Sequence, residues 1–330
     1  MENVQYINKL QDEMKKQDLP PEEIEAVASY AKKLIEKELP VIFDTAHLRQ
    51  ILELRGVKLN SYKTFFIKGN KKKRKIDSPS RKLKERQRWI LKNILEKIAL
   101  SDNCCGFVRC KSILDNAKPH VGKEFILNMD IKDFFPSINQ NAIEDIFSNL
   151  GYVTPVARLL SEICCFNEVL PQGAPTSPYL SNIICIKMDY ELNAFSKRIN
   201  ATYTRYADDI TFSSSNDLNF AIVEIREILV KYGFECNDLK THMMKGVTRK
   251  IVTGLLVNEE IKILKQYKRK LKQEIYYCKK FGVTAHLENV KADKFINYRE
   301  HLYGKAYYIK MVEPIIGEKF LKELDEIYWY

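Results

Sequence analysis

The first forty residues show the spacing of amphipathic helices. Apolar side chains recur there at intervals of three and four residues, which is the spacing of one helix face. They are Ile24, Val27, Ala31, Leu34 and Ile35. The dipeptide Pro20-Pro21 precedes two glutamates, and proline in the first turn with acids near the positive end of the helix dipole is typical of a helix start. The pattern predicts an N-terminal helical region over residues 1–39, in which acidic residues outnumber basic ones.

Between residues 121 and 257, strand patterns alternate with helix patterns. EFILNMDI at 124–131 predicts a buried strand, and ATYTRYADDITFSSS at 201–215 predicts two strands around a tight turn. Helices are predicted over 139–152, 177–199 and 217–233. Gly151 closes the first of these helices and Gly233 caps the last. This order indicates an α+β fold with a strand pair that carries acidic residues at its tip.

Two other segments extend this pattern on either side. The Gly-Asn pair at 69–70 is typical of a turn, and KKKRKI at 71–76 is a candidate second strand of a hairpin. Residues 80–100 then show the apolar spacing of a helix, and residues 262–280 show it again.

Composition favours a large folded chain with an anionic partner. The 330 residues are 45% hydrophobic, which is enough for a sizeable core. Basic residues number 54 and acidic residues 43, a net charge of +11, and this excess favours a polyanion over a generic acidic enzyme. We expect no secretory signal, because the start lacks an apolar stretch. We also expect no transmembrane helix and no membrane partner, because no run approaches 18 apolar residues.

The eight cysteines form no CxxC pair. Without a signal peptide, free thiols in a reducing compartment are expected, which predicts a cytoplasmic location. The five histidines are not placed to complete a zinc site.

Basic charge is concentrated in two segments. Residues 68–88 hold eleven basic and two acidic residues, a local net charge of +9. Residues 262–280 hold eight basic residues and one acid, a local net charge of +7, with tyrosines interleaved. Each segment is open to two interpretations: a solvated helix or hairpin face, or a surface that contacts phosphates and stacks on bases. On the second, Lys268, Arg269 and Lys270 are candidate RNA contacts.

Three carboxylates are candidates for chemistry. Asp130 ends an apolar strand, where an acid is not expected without a partner. Asp208 and Asp209 are adjacent in a predicted turn, and two fixed neighbouring acids require a cation. Oxygen ligands suit Mg²⁺, and two such ions can activate a hydroxyl and stabilise a leaving pyrophosphate. A fourth acid, Asp133, lies nearby. The Tyr-Ala-Asp-Asp string at 206–209 alone is equally typical of an ordinary polar turn.

The order of several motifs is more specific than any one of them. FILNMDIKDFFPSI begins at Phe125, LPQGAPTSPYLSN at Leu170, RYADDITFS at Arg205, GFECNDLKT at Gly233 and VTGLLVN at Val252. In this order they resemble the palm motifs of reverse transcriptases, and RKIDSPSRKLKERQRWIL at 74–91 looks like the fingers motif. The resemblance implies a right-hand polymerase. Its expected parts are an N-terminal region 1–39, fingers 40–125, palm 126–250 and a helical thumb 251–330.

The resemblance also implies roles for individual residues. Asp130, Asp208 and Asp209 would bind two Mg²⁺ ions, with the Ile131 carbonyl as a further ligand. Phe135 would exclude a ribose 2′ hydroxyl. The remaining nucleotide contacts would be Gln172 in the nucleotide pocket, Arg74 with Lys73 or Lys75 at the triphosphate, and Lys240 at the pyrophosphate end.

Two further motifs resemble those of retron reverse transcriptases. Asn116-Ala117-Lys118-Pro119-His120 matches the NAxxH element, and Val252-Thr253-Gly254 matches the VTG element. The resemblance implies RNA contacts at Asn116, His120, Val252, Thr253 and Gly254. It implies that dNTPs are polymerised on a cognate structured non-coding RNA that supplies both template and 2′ hydroxyl primer. The product would be multicopy single-stranded DNA (msDNA), made for anti-phage defence with an effector protein as an additional partner.

Other functions remain open at this point. One is another bacterial reverse transcriptase, either intron-derived or of the abortive-infection type. A second is a catalytically idle RNA-binding scaffold, although all three acids are present. A third is a nucleotide cyclase on a related palm, which would lack the LPQG and VTG motifs and the basic thumb.

Overall fold

The computed structural model describes residues 2–68, 73–289 and 297–329. The first part contains α1 (Glu2–Lys16), α2 (Pro21–Glu36), α3 (Thr45–Ile51), β1 (Tyr62–Lys68), β2 (Lys73–Pro79) and α4 (Arg81–Asn93). Helix α2 begins at a proline and buries Ile24, Ala31 and Leu34 of its predicted apolar face, while Val27 and Ile35 are half-buried. Strands β1 and β2 pair antiparallel, as the hairpin pattern predicts. The predicted turn at 69–70 lies outside the described residues.

The central part alternates helices with strands. Its elements are α5 (Ile113–Ala117), β3 (Phe125–Asp130), α6 (Gln140–Leu150), α7 (Thr154–Cys164), α8 (Ser177–Ile184), α9 (Ile186–Arg198), β4 (Thr202–Tyr206), β5 (Asp209–Ser214), α10 (Ala221–Lys231) and β6 (His242–Lys245). The long helix predicted over 177–199 is divided in two at Cys185. The helix predicted over 80–100 ends at Asn93 as α4, followed by a short 3₁₀ turn.

Strands β4, β5, β3 and β6 form one antiparallel sheet in that order. Strand β3 lies between β5 and β6, and its register pairs Phe125 with Ser214 and Asp130 with Asp209. Helices of the central part cover the sheet in a continuous apolar core that reaches back to α2 and α4. The fold is therefore α+β, as predicted.

The last part contains short strands and helices. They are β7 (Ile251–Val252), β8 (Leu255–Leu256), β9 (Lys262–Ile263), α11 (Lys265–Phe281), α12 (Val283–Asn289), α13 (Tyr298–Val312) and α14 (Pro314–Asp325). Strands β7, β8 and β9 form a small sheet, and the helices pack on it around a second apolar core. Ala117 and Ile126 of the central part also belong to this core, so the two parts are joined by packing. Within the described residues, no helix combines the length and the apolar character needed to cross a membrane.

Candidate active site

Three carboxylates meet where the central strands end. Asp130 is the last residue of β3, and Asp208 and Asp209 lie at the turn from β4 to β5. The Ile131 amide donates to the Asp208 carbonyl at 2.9 Å, which ties the end of β3 to this turn. Ligand oxygens of the three acids lie within 4.8 Å of one another. The antiparallel register thus brings together acids that are almost 80 positions apart in sequence.

The electrostatics of this cluster favour a bound cation. Burial, followed by the charges of Asp208 and Asp130, raises the pKa of Asp209 to about 6. Burial and the Asp130 charge also raise the pKa of Asp208. Partly desolvated, mutually repelling carboxylates gain most from a compact positive charge. Oxygen donors at this separation fit a hard divalent ion, so the residues present are compatible with the expected Mg²⁺.

Two cationic side chains face the carboxylates. Lys240 Nζ lies 2.6 Å from Asp130 Oδ2, and the Asn237 side-chain amide donates to Asp130 Oδ1 at 3.2 Å. Arg74, on β2, is close enough to lower the pKa of Asp208 and of Asp209. Lys240 and Arg74 are therefore brought to the acids, as a contact with a bound triphosphate requires.

Two neighbouring lysines of β2 differ from Arg74. Lys73 begins the strand and is exposed. Lys75 is 3.3 Å from Asp77, so it already has an acidic partner on the same strand.

The motif around Gln172 packs directly against β2. The Asp77 amide donates to the Gln172 carbonyl at 3.0 Å. A Cβ atom at Gly173 would lie 2.7 Å from the Asp77 carbonyl oxygen, and the glycine φ of +141° adds a second reason why a side chain is not accommodated. This contact fixes β2 of the basic hairpin against the backbone of Gln172 and Gly173.

Aromatic side chains close in sequence to the acids, or brought near them by the fold, are linked by ring contacts. Phe135 is half-buried and packs on Phe134, with ring centroids 5.4 Å apart. Phe107 lies 6.4 Å from the Phe135 ring and 6.4 Å from the Tyr206 ring. Phe107 was not predicted as a site residue, because neither its sequence neighbours nor any spacing distinguishes it from a core phenylalanine.

Several known proteins are similar to this chain in amino-acid sequence. Residues 63–267 match the reverse transcriptase (RNA-dependent DNA polymerase) family. The Retron Ec86 reverse transcriptase of Escherichia coli is 38% identical over 228 residues, 67% of this chain and 70% of that protein. This chain belongs to the retron reverse transcriptases. The activity of this family is RNA-directed DNA polymerisation.

Two further comparisons each match part of a longer protein. The Retron Mx162 reverse transcriptase of Myxococcus xanthus is 33% identical over 291 residues, 77% of this chain and 58% of that protein. The retron enzyme thus spans less than two thirds of that relative. Among solved structures, a telomerase of Candida albicans in complex with a fragment of telomeric RNA is similar with a TM-score of 0.48 and 13% identity, over 88% of this chain and 70% of that chain.

The two residues that define the NAxxH element of this retron enzyme, Asn116 and His120, lie inside the protein, whereas Lys118 and Pro119 between them are exposed. Asn116 and His120 have no exposed surface. The two ring nitrogens of His120 lie 2.7 Å from the Ser213 hydroxyl and 2.8 Å from the Thr204 hydroxyl, and burial lowers its pKa to about 3. Direct RNA contact at Asn116 and His120 is thus a wrong prediction, because the sheet covers both side chains.

The VTG element forms the β7–β8 turn and packs on the NAxxH element. Val252 is fully buried, which corrects the prediction that it contacts RNA. Thr253 Oγ1 lies 3.5 Å from the Asn116 amide, and the Asn128 amide of β3 donates to the Ile251 carbonyl at 2.9 Å. Gly254 is exposed. The two retron motifs thus join the central sheet to the small sheet.

The three basic residues predicted on α11 have different environments. Lys268 Nζ lies 2.7 Å and 2.8 Å from the two Glu313 carboxylate oxygens, and both side chains are largely buried. This ion pair disfavours an RNA contact at Lys268, which stays a prediction. Arg269 and Lys270 are exposed and are free of that ion pair, so they remain candidates for phosphate contacts.

Proposed function

We propose that this protein copies a cognate structured non-coding RNA into DNA, starting from a 2′ hydroxyl inside that RNA. The product is RNA-linked single-stranded DNA, msDNA, made from dNTPs. One observation carries the proposal: in a chain of the retron family, Asp130, Asp208 and Asp209 meet within 4.8 Å beside Lys240 and below a basic hairpin. This arrangement suits a nucleotide triphosphate that reacts with a hydroxyl.

In the proposed mechanism, the carboxylates of Asp130, Asp208 and Asp209 and the Ile131 carbonyl would hold two Mg²⁺ ions. When bound, such ions activate the attacking hydroxyl and stabilise the leaving pyrophosphate. Lys240 faces the same carboxylates and is suited to the pyrophosphate.

Other side chains position the nucleotide and the nucleic acid. Arg74 and Lys73, on the hairpin fixed by the Gln172 segment, neutralise the triphosphate. The half-buried Phe135 ring lies beneath the sugar and excludes a 2′ hydroxyl. Arg269, Lys270 and the turn at Thr253-Gly254, of which Gly254 is exposed, contact RNA.

The proposed division of the chain follows the roles of these parts. Residues 40–125 are the fingers, 126–250 the palm and 251–330 the thumb, after the N-terminal region 1–39. The basic hairpin and the exposed face of α11 then lie on the two sides of a duplex. We place this activity in the cytoplasm, in anti-phage defence with an effector protein.

The alternative of an idle RNA-binding scaffold is disfavoured by the intact acid cluster. A protein that only binds RNA has no need to crowd three carboxylates, because their repulsion is unfavourable without a cation. An intron-derived or abortive-infection reverse transcriptase is disfavoured by the retron relatives and by the two retron motifs.

The test is DNA synthesis without an added primer. The protein is purified from its host together with the RNA that it binds. This complex is then incubated with dNTPs and Mg²⁺, and no primer is added. We expect DNA that becomes free of RNA only after a debranching enzyme cleaves a 2′–5′ linkage. The control is Asp208→Asn with Asp209→Asn, which should bind the RNA but make no DNA. A strict requirement for a 3′ hydroxyl primer contradicts retron priming, and activity in the control contradicts the metal assignment.

A further inference from the structure

Arg205 is a charged side chain with no exposed surface, and the largest fully buried side chain among the described residues. It lies in β4, three positions before Asp208. Burying a guanidinium is unfavourable unless every part of it is paired. Its partners therefore show what the structure gains from placing it there.

One edge of the guanidinium is held by an acid of α9. Arg205 Nε lies 2.7 Å from Asp189 Oδ1, and Nη2 lies 2.8 Å from Asp189 Oδ2. Asp189 is also fully buried, and it accepts a further hydrogen bond from the Tyr203 hydroxyl at 2.7 Å. Two parallel charge-assisted hydrogen bonds fix the plane of the guanidinium as well as its position.

The opposite edge of the guanidinium holds the catalytic turn. Arg205 Nη1 donates to the Ala207 carbonyl at 3.0 Å and to Asn182 Oδ1 at 3.1 Å. Ala207 has a φ of +56°, a left-handed conformation that costs a residue with a side chain on the order of 1 kcal/mol. The buried arginine thus stabilises an unfavourable peptide immediately before Asp208.

A second segment, Cys105-Gly106, also packs against the turn. The Asn182 amide also donates to the Gly106 carbonyl at 2.8 Å. A Cβ atom at Gly106 would lie 2.6 Å from the Ala207 nitrogen, so the segment and the turn are in direct backbone contact. The segment is anchored on β4, because the Cys105 amide donates to the Arg205 carbonyl at 2.8 Å. We name Arg205, Asp189, Asn182 and Gly106 the turn clamp.

We propose that Arg205 is a positioning residue, which through the turn clamp holds Asp208 and Asp209 at the end of β3 in the geometry that binds metal. The repulsion among the three carboxylates is the reason why this turn has to be held in place. Asp208 and Asp209 repel each other and Asp130, and a freely moving turn would let them separate before a cation arrives. Fixing the peptide beforehand removes that reorganisation from the binding step. This inference rests on the proposed role of these acids as Mg²⁺ ligands.

Two variants loosen the turn in independent ways. Arg205→Lys keeps the positive charge beside Asp189 but cannot reach both Asp189 and the Ala207 carbonyl with a planar fork. Gly106→Ala leaves the ion pair intact and forces a methyl group against the Ala207 nitrogen. The matched control is Tyr203→Phe, which removes one hydrogen bond to Asp189 Oδ1 but keeps Arg205 and its contacts with Asp189 and the Ala207 carbonyl.

The measurements are kcat, KM for dNTP, the Mg²⁺ concentration for half-maximal activity, RNA affinity, and the rise of Tm on addition of Mg²⁺ without substrate. For Arg205→Lys and Gly106→Ala we expect kcat to fall by about tenfold or more. We also expect the half-maximal Mg²⁺ concentration to rise several-fold and the Mg²⁺-induced rise of Tm to shrink. RNA affinity should stay at the wild-type value. Tyr203→Phe should lower Tm and leave the kcat and the Mg²⁺ dependence of the folded protein unchanged.

The proposal is overturned if folded Arg205→Lys retains the wild-type kcat and Mg²⁺ response, or if Tyr203→Phe loses them equally. If Arg205→Lys does not fold, Gly106→Ala decides by the same criteria. If the wild type makes no DNA, the proposed function fails. The Mg²⁺-induced rise of Tm then still decides whether the clamp prepares the acids for metal.

Discussion

The ammonium nitrogen of Lys240 lies 2.6 Å from a carboxylate oxygen of Asp130, although 110 positions separate the two residues in sequence. The Asn237 side-chain amide donates to the other carboxylate oxygen of Asp130. The Asn237 backbone amide donates to the Asp130 backbone carbonyl at 2.7 Å. The segment after α10 that contains Asn237 and Lys240 thus contacts Asp130, the last residue of β3, through both its side chain and its backbone. Lys240 therefore competes with any divalent cation for Asp130, and we expect it to contact a phosphate that binds beside this carboxylate.

Replacing Lys240 should separate these two effects. In Lys240→Met, we expect kcat for dNTP addition to fall by about 10- to 100-fold, because a cation that can protonate or neutralise the leaving group is removed. The Mg²⁺ concentration for half-maximal activity should fall as well, because no lysine then competes for Asp130. Steady-state rates over a Mg²⁺ series measure both effects.

The matched control for Lys240 is Lys132→Met. Lys132 lies two residues after Asp130 and pairs with Glu235 at 3.0 Å on the surface, where an ion pair contributes little. The Lys132→Met variant should therefore keep the wild-type kcat and the wild-type dependence on Mg²⁺ concentration. An unchanged kcat in Lys240→Met would show that this lysine only shields Asp130.

Removing the Phe135 ring should admit ribonucleotides. In Phe135→Ala, we expect the ratio of kcat/KM for dGTP to that for GTP to fall by about tenfold or more, since a steric clash with the 2′ hydroxyl is removed. Single-nucleotide incorporation on the bound RNA measures this ratio. Phe134→Leu is the control, because Phe134 is buried behind Phe135 and should affect stability alone. Equal ratios in wild type and Phe135→Ala would make Phe135 a packing residue.

The exposed basic face of α11 should bind RNA without sequence preference. Arg269→Ala with Lys270→Ala should weaken binding to all RNAs, because fewer phosphates are neutralised and fewer counterions are released. The slope of log affinity against log salt should become shallower by about 0.7–0.9 for each phosphate that the variant no longer neutralises. Filter binding across a salt series measures this slope.

Lys268→Met, which changes a neighbouring residue, is the matched control for this face. It breaks the ion pair with Glu313 and leaves that carboxylate with only the Ile263 amide, at 2.7 Å. We expect a loss of stability on the order of 1–3 kcal/mol and an unchanged salt slope. If Lys268→Met changes the slope as much as the double variant, the α11 surface has been assigned to the wrong residues.

His120 should make stability depend on pH. Its pKa is about 3 in the folded protein and about 6.5 when unfolded. Between these values the unfolded chain binds a proton that the folded chain does not, so the free energy of unfolding falls as pH falls. From pH 7.5 to pH 5, His120 should contribute a loss of about 2 kcal/mol.

Urea unfolding at pH 7.5 and at pH 5 checks the pH prediction. His120→Gln should be less stable at pH 7.5 but should lose less on acidification than the wild type. His242→Gln, at an exposed position, should keep the wild-type pH dependence. An identical pH dependence in His120→Gln and wild type would mean that the ring is protonated inside the fold.

The acid cluster could be predicted from sequence because its signals are local. An acid at the end of an apolar strand and an acid pair in a hairpin turn are each visible in a short window. Antiparallel pairing then places Asp130 opposite Asp209. The alternation of strands and helices likewise predicted the α+β fold, while the division between α8 and α9 was missed, since apolar spacing continues through Cys185.

Burial and long-range packing could not be predicted in the same way. Asn116 and His120 are polar, and a polar motif next to a basic region is as compatible with an RNA surface as with an internal hydrogen-bond network. Their partners Thr204, Ser213 and Thr253 lie far away in sequence. Arg205 is visible in the sequence as a charge inside a predicted strand, but only the structure shows that Asp189 is its partner.

The contacts of Asn116 with Thr253 and of Asn128 with Ile251 limit how this enzyme can be recombined with its relatives. A chimera cut at residue 250 would separate each side chain from its partner, because one half of each contact would come from a different parent. To keep both contacts and the shared apolar core, residues 112–128 and the part after residue 250 would have to come from the same parent. The unit that can be exchanged is therefore discontinuous in sequence.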